Sequence, residues 1–324
     1  MRDGLEPNHL ENYSKATINQ GSKSFAKAAM LFDLETRRSV TMLYAWCRYC
    51  DDVIDGQEMG HGAQAMTAEH KQALLEDLRH ETERIYSDED IRLPAFAALR
   101  QVVHKHSIPR QHLLELLEGF AMDASEVRFE NLDATLRYCY HVAGVVGVMM
   151  ARIMGVTDQQ VIDRAADLGI AFQLTNIARD VMDDLRIGRC YLPEDGLQRM
   201  GLTRETLDPD LHAEQLHALA CKLVVLAEGY YDSARIGIAH LPWRCAWAIA
   251  SALKIYRDIG LKVQTGGPVA WRHRTLVSGR RKAWHLLGGS VLATHAKLRM
   301  RSQHTRPRTG LWTRTIDQNY GPGL

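Results

Sequence analysis

The sequence predicts an all-α fold, and three observations support this prediction. Apolar residues recur at helical spacing along most of the 324 residues, and alternating stretches of β-branched residues are almost absent. Hydrophobic residues make up 46% of the chain, which is enough for a sizeable core. Prolines are few and separate the periodic segments, at Pro94, Pro109, Pro193, Pro209, Pro242 and Pro268. A single large helical domain can reach this length.

Helices are expected wherever the periodicity continues between these breaks. Pro94 directly precedes the fourth predicted helix, and Pro109 and Pro242 open the fifth and the last one, because proline interrupts a helix anywhere but in its first turn. In chain order, the predicted helices cover residues 8–28, 34–57, 66–88, 95–105, 109–127, 132–154, 157–186, 210–238 and 242–264.

Charge is distributed unevenly along the chain. The part from Ala270 onward contains 11 basic residues and one acid, Asp317, so it carries +10 while the preceding 269 residues carry −9. The stretch after about residue 297 is rich in Arg, Thr, Gly and Pro. We expect a helical domain at residues 1–285 and a basic, poorly ordered C-terminal tail at residues 286–324. Such a tail is either a solvated end or an anchor on an anionic membrane surface, and nucleic acid is not expected as a partner.

Several features indicate a cytoplasmic protein. No run of about 18 apolar residues is present, and the N-terminus lacks the basic and then apolar pattern of a signal peptide. Six cysteines are scattered along the chain, which is not the pattern of a disulfide framework. Cys47 and Cys50 form a C-x-x-C pair without a second pair that could complete a zinc site, so we expect buried helical cysteines there.

The second predicted helix carries a stripe of polar residues. Its members are Tyr44, Arg48, Asp51, Asp52 and Asp55. Spacings of three and four residues put them on one face of a helix. Taken alone, such a stripe is most simply a solvated face.

The seventh predicted helix is polar on two nearly opposite sides. One set, expected at the surface, consists of Gln160, Asp163, Arg164 and Asp167. The other set lies about 150° around the helix and consists of Gln173, Asn176, Asp180 and Asp184, with Arg179 and Asp183 beside it. One of two opposite polar sides is expected to face inward, where carboxylates need compensating cations.

Two inward stripes with carboxylates at i and i+4 predict a site for Mg²⁺. Magnesium takes a few carboxylates, keeps several waters and completes its shell with substrate phosphates. Arg48 and Arg179 lie on the same helices and are candidate diphosphate ligands, since a guanidinium pairs with phosphate through two hydrogen bonds. No nucleotide-binding P-loop, nucleophile elbow or zinc-protease motif is present. The pattern therefore favours metal-assisted loss of a diphosphate.

At these residues the chain resembles the squalene/phytoene synthase family. The matching segments follow the family's order over roughly residues 12–265. They are Ser22–Phe25, the first aspartate motif Tyr44–Asp55, the central helix Tyr138–Gly147, the second aspartate motif Gln173–Asp184 and its extension Gly188–Pro193. The Trp-Cys-Arg segment within the first motif and the start of the central helix are more similar to the phytoene branch of the family than to its squalene branch.

The resemblance implies a class I isoprenoid synthase bundle with a central cavity. It also implies an enzyme that uses Mg²⁺, or Mn²⁺ as a substitute, and that does not use NADPH. The residues implied as metal ligands are Asp51, Asp55, Asn176, Asp180 and Asp184. The residues implied as catalytic are the four aspartates of this set together with Tyr44 and Arg48. The residues implied as further contacts of the substrate are Ser22, Ser24, Phe25, Tyr138, Gln173, Arg179 and Tyr256. Two alternatives stay open: the two serines as helix caps, and Phe25 and Tyr138 as core aromatics.

The implied reaction is head-to-head condensation of two geranylgeranyl diphosphates to phytoene through prephytoene diphosphate, the first committed step of carotenoid biosynthesis. Because the tail is basic and the implied substrate and product are lipid-soluble, we expect the enzyme to lie peripherally at membranes, with neighbouring carotenoid-pathway enzymes as partners. Alternatives are a squalene- or dehydrosqualene-type synthase that uses farnesyl diphosphate, a head-to-tail prenyltransferase or terpene cyclase, and a non-catalytic assembly factor on the same fold. Gly144 and Gly147 either accommodate a prenyl chain or allow close helix packing.

Overall fold

The computed structural model describes residues 7–57, 62, 66–300 and 307–314, and every regular element among them is helical. The helices are α1 (Pro7–Gly21), α2 (Lys23–Ala29), α3 (Leu34–Asp55), α4 (Ala68–Arg84), α5 (Pro94–His106), α6 (Arg110–Ala124), α7 (Leu132–Cys139), α8 (Val145–Ile153), α9 (Gln159–Arg186), α10 (Glu194–Gln198), α11 (Ala213–Ile238), α12 (Trp243–Gly266) and α13 (Gly279–Met300). A π-helical turn, Tyr140–Gly144, joins α7 to α8, and a 3₁₀ turn, Pro268–Trp271, follows α12. The predicted all-α class is confirmed.

The first predicted helix, residues 8–28, is in fact two helices that meet at Ser22. This residue is extended, and its side-chain oxygen accepts a hydrogen bond of 3.2 Å from the backbone N–H of Phe25. Because an N-cap residue has non-helical backbone angles, the cap starts α2 and separates it from α1. The alternative of Ser22 as a helix cap is thereby confirmed, while the side chain of Ser24 lies outside the described residues.

The chain forms two compact units. The described part of the first unit contains residues 7–57, 62, 66–125 and 148–157. Its central element is α3, which packs against α1, α4, α5 and α6. Asp33 caps the start of α3, and Gly56 ends it in a left-handed conformation that glycine adopts without strain. The inner side of α3 is apolar, with Trp46 and Cys50 fully buried. This packing leaves the polar stripe of α3 on another side of the helix.

The described part of the second unit contains residues 126–147, 158–300 and 307–314, and α9 is its central element. It packs against α11, α12 and the π-helical turn. A Cβ atom at Gly169 would lie 2.2 Å from the carbonyl oxygen of Ala143, and one at Gly147 would lie 2.2 Å from that of Ala165. Glycine therefore lets two backbones touch here, which supports the packing interpretation of Gly147.

Helical structure extends past the boundary that the sequence predicts at residue 285, because α13 spans Gly279–Met300. The indole N–H of Trp247 on α12 donates a 2.8 Å hydrogen bond to the carbonyl of Leu286. Gly289 brings α13 close to Ser251, also on α12. The basic composition that suggested a solvated tail gave no indication of the face of α13 that packs on α12. The division into a domain at residues 1–285 and a tail at residues 286–324 stays a prediction.

Arg164 and Asp167, which we expected at the surface of α9, are buried. Gln160 from the same set is exposed, as predicted, and Asp163 is partly exposed. The reason is a contact that helical periodicity does not reveal: Arg308 binds Asp167 from a segment 141 residues further along the chain.

The six cysteines are free, and in the C-x-x-C pair of α3 Cys50 is buried as expected, whereas Cys47 is half-buried. Burial raises the pKa of the Cys47 thiol to about 12 and that of Cys50 well above its usual value. Among the residues that the structure describes, no helix is both long enough and apolar enough to cross a membrane.

Candidate active site

The stripe on α3 is held together by one arginine. Arg48 donates a hydrogen bond of 2.7 Å to Asp51 and a longer one of 3.4 Å to Asp52, its neighbours three and four residues along the helix. Burial alone would lower the pKa of Arg48, but the charge of Asp51, supported by Tyr44 and Asp52, outweighs this effect and raises it. The guanidinium is therefore a fixed positive charge within the stripe.

Asp51 lies where carboxylates accumulate. Burial raises its pKa, and the charges of Asp55, Asp52 and Asp123 add to this effect against the opposing Arg48, so that the pKa reaches about 6. The side chain is nevertheless 38% exposed, so water still reaches one part of it. Asp123 is on α6, and no motif in the sequence indicated its proximity to Asp51. The local excess of negative charge is the electrostatic condition that a bound cation relieves.

Phe25 lies beside Tyr44, the first residue of this stripe. Their ring centroids are 6.0 Å apart, so the α2 segment covers the start of the polar face. Among the described residues, neither the Tyr44 hydroxyl nor Nε of Arg48 has a hydrogen-bond partner of good geometry, although both atoms are buried. A Cβ atom at Gly21 would lie 2.5 Å from the Tyr44 hydroxyl oxygen, so the glycine makes room for it. Buried donors without partners are expected where a ligand binds.

The stripe on α9 has a similar internal arrangement. Arg179 donates to both carboxylate oxygens of Asp180, with Nε 2.7 Å from Oδ1. The amide of Asn176 donates to Gln173 over 3.2 Å, and the Asn176 side-chain oxygen is buried without a hydrogen-bond partner among the described residues. Together with Asp184 these side chains are half-buried.

Two residues that motif analysis did not assign to this site reach α9 from the segment after α12. Arg274 lies with its guanidinium nitrogen 3.3 Å from Oδ2 of Asp180. Trp271 is buried, and its indole N–H donates to the carbonyl of Ala178 over 3.1 Å. The sequence signal for Arg274 was only its membership of the basic C-terminal part, which suggested a different role.

The aromatic residues predicted as substrate contacts fall into different surroundings. Tyr256 stacks on Phe172 of α9, with ring centroids 4.1 Å apart. Tyr138 is buried in an aromatic cluster, 4.9 Å from the ring of Tyr191 and 5.2 Å from that of Phe129. These contacts favour the core alternative for Tyr138, whereas Tyr256 lies against the helix that carries the second stripe.

The donor set of the two stripes consists of carboxylate and amide oxygens. Such hard oxygen ligands suit Mg²⁺ or Mn²⁺ better than softer metals. Within the described ranges, no group of three or more His, Cys, Asp or Glu side chains is arranged to hold a metal ion. The raised pKa of Asp51 and the buried Asn176 oxygen are the observations that fit a cation at each stripe.

Comparison with known proteins extends these observations to the whole chain. The chain is 48% identical to the 15-cis-phytoene synthase of Pantoea ananas over 307 residues, which cover 95% of this chain and 98% of the relative. It is 49% identical to the 15-cis-phytoene synthase of a Paracoccus strain over 302 residues, 93% of this chain and 96% of the relative.

Solved structures with the same fold include a ligand-bound dehydrosqualene synthase, with a TM-score of 0.75 and 27% identity, covering 93% of this chain and 99% of that one. The squalene synthase HpnC of Alicyclobacillus acidocaldarius has a TM-score of 0.67 at 22% identity, covering 81% of this chain and 95% of that one, and shows the fold alone. The family model described as squalene/phytoene synthase matches residues 18–282. The chain therefore belongs to the squalene/phytoene synthase family.

Proposed function

We propose that this protein is a prenyltransferase that condenses two geranylgeranyl diphosphates head to head to phytoene, the reaction that opens carotenoid biosynthesis. The observation that carries this proposal is the pair of intact aspartate stripes, each with its own bonded arginine, in a chain similar to phytoene synthases over nearly its whole length. The intact aspartates argue against an assembly factor without activity.

The residues of the two stripes would hold Mg²⁺, or Mn²⁺ in its place. Asp51 and Asp55 would supply carboxylates on α3, and Asn176, Asp180 and Asp184 would supply oxygens on α9. A protein site for Mg²⁺ uses one or two carboxylates and leaves other positions to water and phosphate, so it does not need a cage of three protein ligands. When bound, the metal neutralises charge on the departing diphosphate oxygens.

The arginines would orient the diphosphates. Arg48 and Arg179 are each held by an aspartate of their own helix, which fixes the guanidinium before a substrate binds. A guanidinium has five N–H donors, and Arg179 donates from two of its nitrogen atoms to Asp180. Its further N–H donors can therefore bind phosphate oxygens. The Tyr44 hydroxyl would donate to the same substrate, since it is buried and lacks a well-placed partner among the described residues.

The proposed reaction is tested by its product. Purified protein is incubated with labelled geranylgeranyl diphosphate and Mg²⁺ but without any reductant, and the apolar products are separated. We expect phytoene, with no product in the presence of EDTA. A requirement for NADPH, or a strong preference for farnesyl diphosphate, would replace this proposal with a squalene- or dehydrosqualene-type synthase.

The aspartates are tested by Asp51→Asn and Asp180→Asn. Each change keeps the side-chain size and removes a charge that would bind the metal, so we expect turnover to fall by at least about 10²–10³-fold, as for a lost transition-state donor. Asp232→Asn is the matched control, because Asp232 is an exposed aspartate on α11 that also pairs with an arginine. Near-normal rates in either folded stripe variant would contradict the assignment, and circular dichroism establishes folding.

We also propose that the protein binds an anionic membrane surface through the outer face of α13. Trp284, Leu287, Val291 and Leu298 are exposed on this helix, and Trp284 is 73% exposed. Their spacings of three, four and seven residues place them on one side. Arg280 is exposed one helical turn before Trp284, so apolar and basic groups adjoin, which is the composition of helices that lie in a membrane interface. The positive charge of this face complements anionic lipid and therefore supports a membrane surface as its partner. Association with neighbouring pathway enzymes stays a prediction.

Co-sedimentation with vesicles tests this face. The combined variant Trp284→Ser, Leu287→Ser and Val291→Ser should lose binding to vesicles that contain anionic lipid, whereas Val225→Ser should bind normally, since Val225 is an exposed apolar residue on α11. Truncation after Gly267 is a poorer test, because it also removes the buried Trp271. Equal binding to neutral vesicles, or unchanged binding by the combined variant, would contradict the proposal.

A further inference from the structure

Residues 307–314 form a short segment that lies beyond the part of the chain matched by the family model. Its first anchor is Arg308, whose Nε and terminal nitrogen lie 2.8 and 2.6 Å from the two carboxylate oxygens of Asp167. Asp167 is fully buried and also accepts a 2.6 Å hydrogen bond from Ser233 of α11. A buried carboxylate with two bonds from one guanidinium is a specific and strong ionic contact.

The segment has a second anchor around Trp312. The backbone N–H of Trp312 donates to the hydroxyl of the buried Tyr230 on α11 over 3.1 Å. Its ring centroid lies 5.4 Å from that of Tyr140, the first residue of the π-helical turn. Arg308 also donates to Thr313 over 3.0 Å and to the carbonyl of Trp312, so the segment is internally folded.

The two anchors connect three elements of the second unit. Asp167 belongs to α9, Tyr230 belongs to α11 and Tyr140 belongs to the π-helical turn. The turn touches α9 only two residues beyond Asp167, where Gly169 lets the backbones meet. We refer to residues 307–314 as the clamp segment. Its contacts therefore fix the position of α9 against its neighbours within two helical turns of Gln173.

We propose that Arg308 is a positioning residue, which fixes the register of α9 through Asp167 and thereby the placement of the oxygen ligands that α9 carries. The effect on turnover rests on the proposed function, because Asn176, Asp180 and Asp184 are its ligands on this helix. Small displacements of such groups have large kinetic effects, since a shift of about 1 Å can cost on the order of 10²-fold in rate. The clamp segment is thus a part of the catalytic framework that the family's motifs do not include.

The electrostatics of Arg164 agree with this role. Arg164 is buried beside Asp167 and donates to Ser233 over 3.0 Å. Burial lowers the pKa of Arg164, and the charge of Arg308 lowers it further against the opposing Asp167. Arg308 itself has a raised pKa, because its hydrogen bonds and charge interaction with Asp167 outweigh its burial. The carboxylate thus interacts with both guanidinium groups, and the direct contact is with Arg308.

The test compares full-length Arg308→Ala and Arg308→Lys with Arg272→Ala, a change of an exposed arginine from the same basic part of the chain. We expect the Tm of Arg308→Ala to fall by roughly 5–10 °C, because a buried carboxylate loses its partner. Hydrogen exchange should accelerate in residues 140–144 and in the first half of α9. Arg308→Lys should restore part of the Tm and part of the protection from exchange, because it keeps the charge. Arg272→Ala should resemble the unchanged protein.

Steady-state kinetics, measured well below the lowest Tm, separate positioning from stability alone. Arg308→Ala should lower kcat by roughly 10- to 100-fold, with KM for geranylgeranyl diphosphate changed less than kcat, and Arg308→Lys should lie between. An unchanged kcat for the folded variant, or unchanged exchange at residues 140–144, would overturn the proposal. If the unchanged protein made no product from geranylgeranyl diphosphate, the proposed function would fail, while the exchange data would still decide whether the clamp segment fixes α9.

Discussion

Each aspartate stripe contains one arginine that binds a carboxylate of its own helix. Arg48 binds Asp51 on α3, and Arg179 binds Asp180 on α9. The α3 stripe has three aspartates, and Arg48 pairs with two of them. The two arginines hold carboxylates of each stripe in place, while the negative charges of neighbouring aspartates still act to raise the pKa of Asp51.

The raised pKa of Asp51 predicts that this residue destabilises the protein when no metal is bound. A carboxyl group with a pKa of about 6 in the folded state, against about 4 in an unfolded chain, binds its proton more tightly when folded. Its favourable contribution is therefore present below about pH 4 and is lost as the pH rises to about 6. Ionised Asp51 then costs stability.

We therefore expect Asp51→Asn to raise the Tm of the protein in EDTA at pH 8. The gain should be absent near pH 4, grow as the pH rises and level off above about pH 6. It should not exceed about 1 kcal/mol, because water screens a partly exposed side chain. Thermal unfolding from pH 4 to pH 8 measures it, with Asp232→Asn as the control. A difference in Tm that does not depend on pH, or a lower Tm of the variant at pH 8, would contradict the conclusion that ionised Asp51 destabilises the fold.

At the scale of secondary-structure elements, the close contact of α9 with the π-helical turn depends on glycine. At Gly169 the atoms that a Cβ would meet are backbone atoms of Ala143 and Gly144, which cannot rotate away. Gly229, in the interior of α11, is different: a Cβ there would lie 3.6 Å from a methyl carbon of Leu311, an ordinary contact. The two glycines therefore predict opposite effects of the same substitution.

Gly169→Ala should lower the free energy of unfolding by about 1–3 kcal/mol or more, since the added methyl forces α9 and the turn apart. Gly229→Ala should raise it by about 0.5–1 kcal/mol, because alanine loses less backbone freedom in a helix than glycine does. Urea unfolding followed by circular dichroism gives both values. A stabilised Gly169→Ala variant would mean that the backbones do not touch in solution.

Helical periodicity and proline positions predicted most elements because they reflect local chain geometry. The predicted helix at residues 34–57 is α3, and the predicted helix at residues 157–186 is α9, each within a few residues. The polar side of α9 that we expected to face inward is half-buried. The burial of Asp167, which we expected at the surface, could not be predicted, because its partner is 141 residues away and no periodic signal spans that distance. Likewise α13 was hidden by its basic composition, although small and apolar residues contribute to its contacts with α12, beside the ion pair of Arg281 with Asp258.

At the scale of the whole molecule, the division of charge is partly neutralised by contacts within the fold. Three arginines of the basic C-terminal part bind carboxylates of earlier helices: Arg274 binds Asp180, Arg281 binds Asp258 and Arg308 binds Asp167. Asp258 and Asp167 are buried, and Asp180 is half-buried. The basic part is thus both a set of internal counterions and, on the outer face of α13, a charged surface.

These two roles predict different responses to salt. Ion pairs with buried carboxylates are screened little, whereas attraction to a membrane surface falls as the Debye length shrinks from about 8 Å at physiological ionic strength to about 3 Å at 1 M. We expect NaCl up to about 1 M to release the protein from anionic vesicles and to change its Tm by less than about 3 °C. Co-sedimentation and calorimetry on one salt series measure both. A steep fall of the Tm with salt would mean that the C-terminal pairs are exposed in solution.

The distance in sequence between Asp167 and Arg308 has a consequence for the order of events during translation. A ribosome that adds about 5–20 residues per second completes Arg308 roughly 7–28 s after Asp167, since 141 residues separate them. Throughout this interval the carboxylate has no partner from the clamp segment, and burying it would be costly. We therefore expect the nascent first half of α9 to keep Asp167 hydrated until synthesis has passed residue 308, so that its final packing comes late in the life of the growing chain.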